Sequence, residues 1–215
     1  MKFINQFYKS HKKEIFLFLL MLGLELVMIF ALSQRNGLSI FFRSDGIEYQ
    51  RLVLNTINHS EFSLDSQAPF VPTDYRTPAY PFWLVIIYLI FRSFTPAIFI
   101  GAIIFALSAP LAYSIGKEIF SEKIAFWGAV LFAIEPWAIF QSGFLAAVQI
   151  AMPTFLLAVY LFCRYLKSGK SHYIYEMSVF SGIAALIRPA TLYFILIFAI
   201  LAFVAELRFS ILNSF

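Results

Sequence analysis

The sequence is poor in charged residues and contains a single cysteine, and both shortages limit its function. Only 13% of the 215 residues are charged, whereas 61% are hydrophobic and 19% are aromatic. Soluble domains carry about 25% charged residues, so this composition excludes a soluble domain and predicts a polytopic membrane protein. Cys163 stands alone in an apolar run, which excludes a disulfide framework and a cysteine-rich metal site and favours a packing role.

The excess of basic residues does not indicate a nucleic-acid partner. The net charge is +4, but the lysines and arginines stand between apolar runs, where such residues set the topology of membrane proteins. The predicted surroundings are therefore membrane lipids, and no nucleic-acid function is expected.

Six apolar runs are candidates for crossing the roughly 30 Å hydrocarbon core of a membrane at about 1.5 Å per helical residue. The first follows a basic tail, but it is too long for a signal peptide and lacks an A-x-A cleavage site. The predicted spans are residues 15–33, 95–115, 124–140, 150–163 (extendable back to 144), 173–187 and 191–205. The fold class is therefore an all-α polytopic membrane protein with about six transmembrane helices, in a single domain over residues 1–215.

A seventh apolar run, residues 80–91, is too short for a typical span. If it does not cross, all eight lysines fall on one side: in the N-terminal tail, in residues 116–123 and in residues 164–170, together with Arg208. That side is the cytoplasm by the positive-inside rule. We therefore predict a juxtamembrane helix at the outer face, a cytoplasmic N-terminus, and a large first outer loop over residues 34–79.

The outer loop contains four arginines, five acids and no lysine. Its central text, "SDGIEYQRLVLNTINHSEF", predicts a short helix that is capped by Ser44 or Asp45 and runs to about residue 58. The predicted apolar side of this helix is formed by Ile47, Leu52, Val53 and Ile57. Spacing alone favours a helix cap as the role of Asp45.

Four stretches in order carry a resemblance to a known family. They are "SDGIEYQRLVLNTINHSEFS", "YRTPAYPFWLVIIYLIF", "AYSIGKEIFSEKIAFWGAVLFAIEPWAIF" and "SGIAALIRPATLYF". In this order they resemble the N-terminal half of membrane GT-C glycosyltransferases of the dolichyl-phosphate-mannose protein mannosyltransferase and aminoarabinose transferase type. The resemblance implies transfer of a sugar from a polyprenyl-phosphate lipid to an acceptor, with the active face outside the cytoplasmic membrane.

The resemblance also assigns roles to residues. Asp45 matches the loop acid of the family, which implies a general base or an orienter of the acceptor hydroxyl. Arg76 and Arg188 are expected to hold the phosphate, because a guanidinium keeps its charge and can bind two phosphate oxygens. Further candidates for substrate binding are Tyr49, Tyr80, Glu48 and Glu135. For Glu48 a solvated loop acid remains the alternative, and for Glu135 a residue that snorkels to the interface.

The sequence departs from the family in two places. Many relatives carry an acid in the second outer loop, where this chain has Val148 or Gln149. The cofactor is therefore unknown, and a divalent metal is not supported by a second outer-loop acid. Relatives also continue beyond the equivalent of "ELRFSILNSF", so we expect a fragment that needs a C-terminal half or a partner subunit and does not turn over alone. A non-catalytic scaffold and a flippase-like lipid-phosphate-binding protein remain the alternatives.

Overall fold

The fold is built from helices, as the sequence predicts. The computed structural model describes residues 11–213, apart from the side chains of residue 205 and residues 207–213, and this part of the chain contains no strand. The predicted inside location of the tail before residue 11 and of Arg208 lies outside the described residues. The helices are α1 (Lys12–Asn36), α2 (Asp45–His59), α3 (Ala79–Phe91), α4 (Thr95–Ala106), α5 (Ser108–Ile119), α6 (Glu122–Ala133), α7 (Pro136–Ser142), α8 (Val148–Ser168), α9 (Ser171–Ile187) and α10 (Leu192–Asn213).

Three segments are long and apolar enough to cross a membrane: α1, the consecutive helices α4 and α5 taken together, and α8. Helices α6 and α7 add a fourth if the pair is one span, although a bend of 55° separates them. Pro136 lies at this bend, and its missing N–H interrupts the helical hydrogen bonds there. Length and composition thus support three to four spans and do not confirm the predicted six, because α9 has 17 residues and the apolar helical segment Pro189–Val204 is also short.

One end of the helix bundle is held together by ion pairs that involve lysines. Lys13 pairs with Glu122 at 2.7 Å, and Lys117 pairs with Glu14 at 2.8 Å, so the start of α1 is joined to the α5–α6 connection. Lys167 near the end of α8 pairs with Glu118 at 3.0 Å. The structure therefore gathers at one end the segments that the positive-inside rule predicts to share a side.

Helix α3 occupies the predicted position of the juxtamembrane helix and packs at the opposite end of the bundle. Near its start, the Tyr80 hydroxyl donates a hydrogen bond to Gln149 at the beginning of α8. Near its end, the Tyr88 ring lies 4.7 Å from the ring of Phe94, which immediately precedes α4. Both ends of α3 thus contact the beginnings of spanning segments, an arrangement that suits a helix lying across the end of the bundle.

Glu25 lies in the middle of α1 and is fully buried, so it faces the bundle and not the lipid. Neither of its carboxylate oxygens has a hydrogen-bond partner among the described residues. Facing the bundle keeps the carboxyl group out of the lipid, but burial without a hydrogen-bond partner is itself costly.

Candidate functional site

The site begins at a constrained turn that precedes α2. Ser44 has φ +52° and ψ −123°, a conformation that a residue with a side chain adopts only when its surroundings impose it. The chain just before this turn contacts the segment that precedes α8, where the Leu145 N–H donates to the Phe41 carbonyl at 2.9 Å. A Cβ on Gly46 would lie 3.4 Å from Leu145. Asp45 follows this turn as the first residue of α2, and Gly46 packs closely against Leu145.

Asp45 does not cap α2, so the role that spacing alone favoured is wrong. Ser44 is the N-cap residue, and its side chain makes no capping hydrogen bond. The predicted helix is present, with Leu52 and Val53 fully buried, but Ile47 is 52% exposed and does not belong to the apolar side. Asp45 pairs instead with an arginine that is distant in the sequence.

Arg76 joins the two acids of the first turn of α2. Its NH2 atom donates to Asp45 Oδ1 at 2.7 Å and to Glu48 Oε2 at 2.5 Å, and its Nε donates to the same Glu48 oxygen at 2.8 Å. The positive end of the helix dipole also favours carboxylates at this position. The structure thus brings together three of the predicted site residues and leaves Asp45 Oδ2 and Arg76 NH1 without a hydrogen bond in the described part of the chain.

Aromatic rings hold the Arg76 guanidinium in place. Its central carbon lies 5.2 Å from the centre of the Tyr49 ring and 5.1 Å from that of Tyr75. Burial lowers the pKa of Arg76, but the hydrogen bonds that Arg76 donates to Glu48 and Asp45 outweigh burial and raise the pKa overall. Burial raises the pKa of the Tyr49 phenol, although the positive charge of Arg76 opposes that shift. Arg76 is therefore a permanent cation and Tyr49 a neutral hydroxyl at physiological pH.

Arg188 approaches this cluster from the end of α9. The Thr77 hydroxyl, next to Arg76, donates to the Ile187 carbonyl at 2.9 Å and so ties the two arginine-bearing segments together. A cavity of about 350 Å³ lies between them, lined by Asp45, Tyr49, Arg76, Thr77, Gln141 and Arg188 among others. Arg188 itself makes no side-chain hydrogen bond or ion pair with any residue that the structure describes.

Two further cavities adjoin this polar cavity. One, of about 410 Å³, also includes Asp45 and Gln141, and its other walls include Arg43, Phe140 and Phe144. The second is an apolar groove of about 320 Å³ between α8 and α10, and Arg188 lines it too. The larger apolar side chains of the groove are Val148, Met152, Phe155 and Phe194. Asp45 therefore borders two cavities, and Arg188 lies where the polar cavity meets an apolar groove.

Tyr80 supports the site from behind and does not line the polar cavity. Its ring packs edge-on against Tyr49, 4.6 Å between ring centres, and its hydroxyl donates to Gln149 Oε1 at 3.3 Å. Gln149 is fully buried, and its Nε2 donates to the Ser142 carbonyl at 2.5 Å and to the Ile98 carbonyl at 3.4 Å. Sequence reasoning missed this role for Gln149, although a glutamine at the start of an apolar run is a signal that could have found it.

Glu135 lies apart from the cluster. Its two carboxylate oxygens accept hydrogen bonds from the Trp137 and Ala138 N–H groups, so the side chain caps α7. It does not line the polar cavity, and its substrate-binding role stays a prediction. Across the described residues, no group of three or more His, Cys, Asp or Glu side chains is placed to hold a metal ion.

Comparison with known proteins gives a family match over most of the chain. A family model described as dolichyl-phosphate-mannose-protein mannosyltransferase matches residues 75–215. The match includes Arg76, Tyr80 and Arg188, and it begins after Asp45 and Glu48. No curated protein and no solved structure matches the chain.

Proposed function

Because the chain belongs to the dolichyl-phosphate-mannose-protein mannosyltransferase family, we propose that it takes part in transferring a sugar from a polyprenyl-phosphate donor to an acceptor at the outer face of the membrane. The observation that carries the proposal is the position of Arg188. This arginine borders both the polar cavity that contains Asp45 and the apolar groove between α8 and α10.

The groove and Arg188 suit the two parts of a polyprenyl phosphate. The isoprenoid chain is apolar and would lie against Met152, Phe155 and Phe194, while the phosphate would stop at Arg188. Arg188 has no competing ion pair in the described part of the chain, so its guanidinium is free to bind two phosphate oxygens. The sugar on that phosphate would then extend into the polar cavity, towards Asp45.

Asp45 is placed to activate the acceptor. As a bond forms between the acceptor oxygen and the anomeric carbon, the proton of the acceptor hydroxyl passes to the carboxylate, where Oδ2 is available. The bond from the anomeric carbon to the phosphate oxygen breaks, and the leaving phosphate carries the negative charge that Arg188 stabilises. Arg76 orients the carboxylates of Asp45 and Glu48, with NH1 remaining for the phosphate.

The proposed membrane arrangement has six crossings and a cytoplasmic N-terminus. It takes α4–α5 and α6–α7 as single spans, adds α1, α8, α9 and α10, and places α3 at the outer surface. The lysine ion pairs at one end of the bundle and the acid–arginine cluster at the other support this arrangement. Its outer end would carry the site.

Replacing Arg188 by Gln should weaken the binding of a polyprenyl phosphate by about tenfold, because it removes a charge-assisted contact to the phosphate. We would measure the affinity with the purified chain in nanodiscs, and compare a polyprenol of the same length that lacks the phosphate. The matched control is Arg35→Gln, which removes the same charge from an exposed residue that lines none of the cavities described above. Unchanged phosphate binding in the Arg188→Gln protein would contradict the proposed donor site.

The topology makes a separate prediction. Single cysteines introduced at Lys117 and Lys167 in a Cys163→Ser background should resist an impermeant thiol reagent in intact cells, whereas one at Ser66 should react. Disruption of the cells should make the first two sites reactive, which controls for burial. Labelling of Lys117→Cys together with protection of Lys167→Cys in intact cells would contradict the assignment.

A further inference from the structure

A third arginine near Asp45, Arg43, lines a cavity that contains Asp45 but not Arg188. It lines the 410 Å³ cavity together with Asp45, and also a neighbouring cavity of about 610 Å³. Its side chain is exposed and makes no hydrogen bond or ion pair with the rest of the described chain. Arg43 thus lines both the cavity that contains Asp45, the proposed general base, and a large cavity that has no part in the proposed donor site.

The large cavity contains a second cation. Arg51, in the second turn of α2, also lines it, and its NH1 atom donates to the Leu64 carbonyl at 3.1 Å. Asp65 is the one acid among its lining residues, and its Oδ2 atom already accepts hydrogen bonds from the Ser63 hydroxyl and the Val71 N–H. These two bonds lower the pKa of Asp65, so it remains charged, and two arginines against one aspartate leave the lining with a net charge of +1.

The remaining lining residues suit a sugar chain. Ser39, Gln50 and Ser66 supply hydroxyl and amide groups, and Phe42 and Leu54 supply apolar surface for the faces of sugar rings. All the lining residues belong to the predicted outer loop, 34–79, and none to a segment long enough to span the membrane. A ligand would therefore reach the large cavity from the aqueous side, whereas the Arg188 groove lies between apolar helices.

We propose that Arg43 and Arg51 form a subsite for an acidic glycan, which is the acceptor of the proposed transfer. A carboxylate or phosphate group of the glycan binds the two guanidinium groups, and the chain extends past Arg43 so that a hydroxyl reaches Asp45. This assignment rests on the proposed function, since it names the acceptor class of the same site. Arg43 and Arg51 are specificity-determining residues, and Arg188 serves the donor.

The test measures glycan binding without requiring transfer. The purified chain in phosphatidylcholine nanodiscs is titrated with tetragalacturonate, with a neutral galactose tetrasaccharide and with tetraglutamate, at low and at moderate salt. We expect the acidic tetrasaccharide to bind at least about tenfold more tightly than the neutral one, and the difference to shrink as salt screens the charges. Equal binding of the two saccharides would overturn the proposal, and equal or tighter binding of tetraglutamate would assign the subsite to an acidic peptide instead.

The variants separate this subsite from general electrostatic attraction. The double variant Arg43→Gln/Arg51→Gln should lose at least about tenfold in affinity for tetragalacturonate, Arg43→Lys/Arg51→Lys should recover part of it, and Arg35→Gln should bind as the unmodified chain does. An equal loss in Arg35→Gln would overturn the proposal. Thermal unfolding of each variant checks that the fold is kept.

Two further sets of binding measurements show which of the two proposals a negative result contradicts. Tetragalacturonate that is displaced when phosphatidylglycerol replaces phosphatidylcholine in the nanodisc would show that a lipid headgroup, and not a glycan, occupies the subsite. Arg188→Gln should leave tetragalacturonate binding unchanged, while the double variant should leave polyprenyl-phosphate binding unchanged. If the chain binds tetragalacturonate as expected but not polyprenyl phosphate, the proposed function is contradicted. If it binds polyprenyl phosphate as expected but not tetragalacturonate, only the acceptor subsite is contradicted.

Discussion

Replacing Asp45 by Asn should reduce sugar transfer by a factor of about 10² to 10⁴, the range that a general base contributes. The amide keeps the shape of the side chain, and its oxygen can still accept the hydrogen bond from Arg76 NH2. It cannot take the proton of the acceptor hydroxyl, so the expected loss falls on the chemical step. The measurement is transfer of radiolabelled sugar from the lipid donor in membranes of cells that express the protein.

The matched control for this substitution is Asp74→Asn. Asp74 lies in the same outer loop, is exposed, and does not line the polar cavity. A surface substitution of this kind changes stability by less than about 0.5 kcal/mol, so expression and activity should remain. Normal transfer by the Asp45→Asn protein would contradict the general-base role, and an equal loss in the control would point to the charge of the loop as a whole.

The Asp45→Asn protein also separates catalysis from simple lipid binding. Arg188 and the apolar groove are outside the substitution, so the variant should bind polyprenyl phosphate as tightly as the unmodified chain. A chain that binds the lipid phosphate but shows no Asp45-dependent transfer in any membrane would favour the flippase-like alternative. A chain that binds no lipid phosphate would favour the scaffold.

The cluster around Arg76 illustrates what the sequence could predict. Asp45 and Arg76 are separated by 31 positions, and neither periodicity nor spacing predicts that they form an ion pair. The order of family motifs placed both residues at the site, and the structure brings them together through the packing of α2 on α3, where the Tyr49 ring lies against the Tyr80 ring. The cap predicted for Asp45 failed because a local pattern could not include the distant guanidinium that binds it.

The number of spans was harder to predict than the position of the helices. Each predicted apolar run is helical, because a run of apolar residues in lipid must satisfy its backbone hydrogen bonds internally. The break at Arg188–Pro189 ends α9 after 17 residues, and the bend at Pro136 divides the run 124–140 into two short helices. Whether a short or bent helix crosses depends on its neighbours and on the membrane, which composition does not describe.

The position of Gln149 at the start of an apolar run hints at a buried polar contact, but one sequence does not show which groups it bonds. Its side chain bonds groups from three other parts of the chain: the Tyr80 hydroxyl, the Ile98 carbonyl and the Ser142 carbonyl. The sequence has Val148 or Gln149 where many relatives carry an acid, and the missing acid gave no support for a divalent metal. The structure gives the position a different use, because Gln149 is buried between helices while its neighbour Val148 lines the polar cavity and the apolar groove.

Gly101 leaves room for the buried Gln149 side chain. Replacing Gly101 by Ala should destabilise the protein by about 1 to 3 kcal/mol, the usual cost of overpacking a core. A Cβ at residue 101 would lie 2.3 Å from the Cδ and Oε1 atoms of Gln149, so the amide would have to leave its present position. The buried Ile98 and Ser142 carbonyls and the Tyr80 hydroxyl would then lose a partner, which adds to the cost. The measurement is the thermal unfolding midpoint of the purified protein in nanodiscs.

Gly128→Ala is the matched control, because Gly128 is also inside a helix but nothing lies within 4 Å of its added Cβ. That change should leave the protein unaffected or stabilise it by up to about 1 kcal/mol, the gain in helix propensity from glycine to alanine. The Gln149→Ala background then tests the mechanism: the side chain that collides with residue 101 is absent there, so Gly101→Ala should cost much less than it does in the unmodified protein. The two changes are in contact and their costs should not add. Equal costs of Gly101→Ala in both backgrounds would show that the small size of residue 101 serves some other contact, and that Gln149 does not fix the packing beneath Tyr80 and Tyr49.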